Sequence, residues 1–226
     1  MKDQNESFFV PQAVASLAHY FEVSLRDDSV LKYSHGFFRN LACSMQYLEY
    51  LNNLLDERAL HTTVRALSRK TFIVTGMSIV EAILWYVVKR GGIQKTESWH
   101  ESKEMTCNEY QENGVYHRAR IIMETKLAKP LEVEMTLDAM CKKAERKKLL
   151  GVGTKVYRDL HHLRDLRNRV HIHAVQHDKD TDWWTFEGKD VKLMKAALYS
   201  ILTCDLFFSS AGLVGRVSFL SSVEEA

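Results

Sequence analysis

The sequence predicts a mainly α protein: a helical bundle with a small β hairpin or meander inserted into it. Three observations carry that expectation. Only two prolines and ten glycines punctuate 226 residues, which leaves room for long helices. Apolar residues recur at intervals of three and four through most of the chain. Between about 95 and 135 that period gives way to alternation around Asn113-Gly114, with Pro130 inside a run. The length suits one domain, 1–226, with the β insertion lying within it.

Pro11 suits the first turn of a helix, and PQAVASLAHYFEVSL continues from it. In the stretch 29–57, Leu31, Phe38, Leu41, Met45, Leu48 and Leu51 fall on one helical face. The next helix spans 59–90 and stops at Gly91-Gly92. After the insertion, Thr136 is placed as the cap of a helix through TLDAMCKKAERKK, and the GVG at 151–153 reads as a helix–helix turn. A helix from Thr154 to about 172 follows, then the loop HDKDTDWWTFEGKD and a last helix from Val191 to about Gly212.

Net charge is only +2, so a nucleic-acid partner would have to be held by local basic clusters such as 142–148 and 158–169. Cys43, Cys107, Cys141 and Cys204 form no CxxC pair and read as reduced thiols. No signal-peptide pattern opens the chain, so the cytoplasm is the expected location. TFIVTGMSIVEAILWYVV (71–88) has the length of a membrane span, but Glu81 sits at its middle and Asp205 interrupts the second apolar stretch. Two buried core helices explain both segments at less cost, and no membrane is expected.

The chemistry concentrates in LHHLRDLRNRVHIH (160–173), where four histidines and three arginines are threaded by leucine and valine. On a helix turning about 100° per residue, Leu160, Leu163, Val170, Ala174 and Val156 fall within about 60° of Arg167. Arg164 and His171 flank that stripe, while Arg158, Asp165 and Arg169 point to solvent. An arginine on an apolar stripe needs a partner, because an unpaired buried guanidinium is untenable. Glu81 or Asp205 can supply it as an ion pair; a phosphate held bidentately in a cleft is the alternative. His161, His171, His173 and His177 admit a metal reading, but no cysteine or paired carboxylate nearby completes a set, and none is expected. A third reading joins both residue types: histidine as acid or base and arginine on a developing phosphorane suffice to cleave RNA without a metal.

These residues resemble the HEPN superfamily (higher eukaryote and prokaryote nucleotide-binding). Its signature is Arg, usually with a polar residue next, then His after four to six intervening positions. Arg167-Asn168 with His173 leaves five between; Arg164-Asp165 with His171 leaves six; Arg167 to His171 leaves three, short of the pattern. The resemblance implies a helical homodimer whose two motifs meet in one cleft. It also implies metal-independent endoribonuclease activity without a cofactor, of the kind found in microbial antiviral defence and toxin systems, where a neutralising or activating protein can be a further partner. Arg167 would then hold the scissile phosphate, His173 or His171 would act as acid and base, and Asn168 would orient the imidazole. The family also contains inactive members that bind RNA or protein. Trp183 and Trp184 can stack on bases or anchor a loop.

Overall fold

The computed structural model describes residues 9–25, 30–57, 59–170, 181–207 and 211–221. The chain divides into two units: Met1–Gly92 with Leu137–Ala226, and Ile93–Thr136. The first is helical and the second is β, so the protein is mainly α with a small antiparallel β element.

In the helical unit, α1 (Val14–Leu25) packs on α2 (Ser34–Glu57), and α2 packs on α3 (Thr62–Arg90). Leu31, Phe38, Leu41, Met45, Leu48 and Leu51 are all buried, as their spacing requires. The 29-residue α3 is the centre of the unit, packing against α2, α4 (Leu137–Lys147), α5 (Thr154–Asn168), α6 (Asp182–Thr185) and α7 (Gly188–Leu202). Among the described residues it is the one helix long and apolar enough to cross a membrane, yet 61% of its most apolar window is buried by protein. Gly76 lets α7 approach: a Cβ there would lie 2.8 Å from Met194 Cγ. The helix ends at Gly91 and Gly92, the latter at φ +62°, with Lys89 and Arg90 in its last turn.

Two boundaries differ from the periodicity. α5 stops at Asn168, and Arg169 and Val170 form a turn. α7 stops at Leu202, and a short 3-10 turn (Asp205–Phe207) precedes α8 (Ala211–Arg216). Asp205 therefore lies exposed beyond α7 instead of inside an apolar helix. The segment after about 215, which carries no strong sequence signal, buries Val217 and Leu220 completely.

The β unit is one long hairpin. β1 (Lys95–Thr106) runs antiparallel to β4 (Arg120–Val133), and β2 (Tyr110–Glu112) to β3 (Val115–His117). The ladder continues between them where the Cys107 N–H donates to the Ala119 carbonyl at 2.9 Å. Asn113 and Gly114, both at positive φ, turn the hairpin as Asn-Gly pairs do. Pro130 costs no ladder bond, because residues 127–130 bulge out between the pairs Trp99–Lys126 and Glu97–Leu131. Ser102 is a second bulge, and its hydroxyl donates to the Met123 carbonyl at 3.0 Å.

Candidate functional site

Helix α5 carries the candidate residues. Its buried side is Tyr157, Leu160, Leu163 and Leu166, which seat it against α3, α4 and α7. Arg167 follows in the last turn, where this packing thins. Its Nη2 donates to Glu81 Oε2 at 2.9 Å, with side chains 35% and 32% exposed. Of the two carboxylates the sequence offers, Glu81 is thus the partner of Arg167. The pair is neither sealed in the core nor free in solvent, because Val170 leaves the stripe and lies exposed. Near the C-terminal end of α5 the guanidinium also meets the negative end of the helix dipole.

Arg164 is more fully engaged. Its Nη1 donates to Asp138 on α4, while Nη2 and Nε reach Asp165 at 2.8 and 3.2 Å. Asp138 also pairs with Lys142 at 2.7 Å and lies 3.9 Å from His161 Nδ1. Asn168 is exposed as the last residue of α5. Arg158 and Asp165 face solvent as expected, but Arg169 does not: it is half-buried, with Nη1 3.5 Å from the Thr185 hydroxyl. His171, His173 and His177, together with Ala174, lie outside the described residues. The structure therefore places Arg167, Asn168 and Arg164 on one helix. Among the described residues, no three of His, Cys, Asp and Glu gather as a metal set.

Periodicity missed a neighbouring histidine. His162 Nε2 lies 2.9 Å from Asp190 Oδ1, with the imidazole half exposed and the carboxylate buried. Asp190 Oδ2 also accepts the Glu187 N–H at 3.0 Å and so closes the first turn of α7. The available signal was the acidic residue three positions after Glu187, at a helix start. Cys141 on α4 is buried. Burial, with Glu145 and Glu81 adding to it, pushes the Cys141 thiol up to about 11, so it stays protonated near neutrality. The indole of Trp184 is largely exposed on α6.

No family model matches this chain, and neither a curated protein nor a solved structure matches it. The functional reading therefore stands on its own residues.

Proposed function

We propose that this chain is a cytoplasmic, metal-independent endoribonuclease of HEPN type, acting as a homodimer in microbial defence or toxin-type growth arrest. The observation that carries the reading is the state of Arg167. It stands in the last turn of α5, a third exposed, anchored by one nitrogen to Glu81. Its other side-chain nitrogens have no hydrogen-bond partner among the described residues. Anchoring fixes the direction of the guanidinium and leaves donors for a phosphate, which planar bidentate recognition needs. The exposed Asn168 follows, and the chain then runs directly into His171 and His173.

In this mechanism a histidine takes the proton of the RNA 2′-hydroxyl, and the 2′-oxygen attacks the adjacent phosphorus. Arg167 stabilises the charge on the non-bridging oxygens, and an imidazolium protonates the departing 5′-oxygen. The products end in 2′,3′-cyclic phosphate and 5′-hydroxyl. No metal or cofactor takes part; a neutralising or activating protein would govern when the site works.

A second reading is a non-catalytic HEPN-like module that binds RNA or protein. The carboxylates around the motif favour it, since Arg164 is held by Asp138 and Asp165, and Arg167 by Glu81. RNA cleavage in excess chelator separates the two. Wild type is compared with Arg167→Ala, His171→Ala and His173→Ala after folding and assembly of each have been checked. Cyclic-phosphate ends that vanish in Arg167→Ala and in one histidine variant establish the enzyme and choose the register. No cleavage by wild type across varied RNAs selects the module, and activity abolished by chelator alone overturns the metal-free mechanism.

A further inference from the structure

The β hairpin leaves an uncovered row of apolar side chains on one strand. Ile121, Ile122 and Met123 are consecutive on β4 and 49%, 44% and 50% exposed. A two-stranded ribbon is marginal in water, and an exposed apolar edge strand is a template for pairing. The sheet order β1-β4 leaves both strands with an open outer edge. The two edges are not equivalent. β1 is interrupted by the bulge at Ser102, whereas β4 pairs without a break from Arg120 to Lys126.

Backbone direction along β4 is set by two bonds. The carbonyls of Ala119 and Met123 face β1, accepting the Cys107 N–H and the Ser102 hydroxyl. Alternation then turns the N–H and C=O groups of Arg120, Ile122 and Glu124 to the outer edge.

We propose that β4 pairs antiparallel with β4 of a second copy of this chain, about a two-fold axis at Ile122, to form a four-stranded sheet. In that register Ile122 faces Ile122 of the second copy, Ile121 faces Met123, Arg120 faces Glu124, and Ala119 faces Thr125. Ile121, Ile122 and Met123 meet only apolar residues, and Arg120 meets the opposite charge of Glu124. The outward backbone groups of Arg120, Ile122 and Glu124 are the ones that bond across the axis.

Neighbouring registers fail this test. Centring on Glu124 sets two carboxylates face to face, and centring on Met123 sets Ile122 against Glu124. Centring on Ile121 buries Arg120 against Ile122. A centre between two residues puts side chains from opposite faces across from each other, which a regular strand forbids. Glu104 already holds Arg120 Nε at 2.6 Å, but both side chains stay exposed, so Arg120 can take a second carboxylate. The pairing does not depend on the nuclease reading.

The test is a charge swap in the full chain, read by sedimentation equilibrium. Arg120→Glu and Glu124→Arg each place two like-charged pairs across the axis and should weaken the dimer about tenfold. The double variant Arg120→Glu/Glu124→Arg restores opposite pairs and should return the dimer to near wild-type strength. Circular dichroism on each variant checks that the helical unit is intact. Ile122→Pro, which removes the N–H on the axis, should weaken association at least as much as either single reversal. A wild type that is monomeric at all concentrations overturns the proposal. So does a dimer unchanged by either single reversal, since it must then use another surface, and so does a double variant no stronger than the singles.

Discussion

The helical unit and the β hairpin solve the same problem in opposite ways. In the helical unit, α3 alone buries fourteen residues, and Leu160, Leu163, Met194 and Leu198 are fully enclosed around it. In the hairpin no strand residue is buried, and large side chains such as Trp99, Tyr110 and Tyr116 stand mostly in solvent. One unit is held by hydrophobic burial within a single chain. The other is held by its ladder, its Asn-Gly turn and surface ion pairs such as Arg120–Glu104, which stabilise little on their own. The difference teaches where substitutions act on stability: strongly in the first unit, weakly in the second.

The sharpest way to break this comparison is a matched truncation. Leu163→Ala, at a side chain with no exposure, should cost about 2–5 kcal/mol in urea unfolding, whereas Ile121→Ala should change it by less than about 0.5 kcal/mol. Equal effects would mean that the hairpin belongs to the same cooperative unit as the core. Next in size is Asp190→Ala, which removes the buried acceptor shared by His162 and the Glu187 N–H; a loss of about 1–3 kcal/mol is expected in the same measurement. Glu81→Gln should cost about 1 kcal/mol or less, because water can solvate the half-exposed Arg167 once the charge is gone. Under the nuclease reading the same change should lower cleavage more than it lowers stability, since it frees the guanidinium from its anchor.

The smallest effect is on pH dependence. The Cys141 thiol is raised from 9.0 to about 11 in the folded chain, so above pH 9 the unfolded state binds fewer protons than the folded one. This group's contribution is complete below pH 9 and is lost as the pH rises through about 11. Cys204 and Tyr157, also raised mainly by burial, act in the same direction. Thermal melts between pH 8 and 11 should decline less steeply for Cys141→Ala than for wild type. The exposed Cys43 and Cys107 should alkylate readily in the native protein while Cys141 does not.

Much of the fold was legible because its signals are local. The spacing from Leu31 to Leu51 defines a buried face wherever the partner helix lies, and Gly91-Gly92 and Asn113-Gly114 fix the backbone by conformational freedom alone. Periodicity could not tell where packing ends. Nothing in the arithmetic that grouped Val170 with Leu163 says that α5 stops at Asn168, and nothing in the apolar run around Asp205 says that α7 stops at Leu202. The site was legible to the same degree. Arg167 on its apolar stripe pointed to a carboxylate partner, and of the two the sequence offered it found Glu81. The His162–Asp190 pair was not legible, because it depends on how α7 packs beside α5, a tertiary fact with no period in the sequence.

The position of α3 in the chain also bears on biosynthesis. Its apolar face is covered chiefly by α4, α5, α6 and α7, all of which follow the hairpin in sequence. A ribosome adds residues at about 5–20 per second. The most membrane-like segment of the chain therefore waits on the order of ten seconds for these helices, with only α1, α2 and the hairpin made before them. Nascent chains stalled before α5 should engage chaperones or membrane-targeting factors that the finished protein ignores. Glu81, later the anchor of Arg167, is then the one charge within the apolar run 71–88 of this helix, where a bilayer would make it costly.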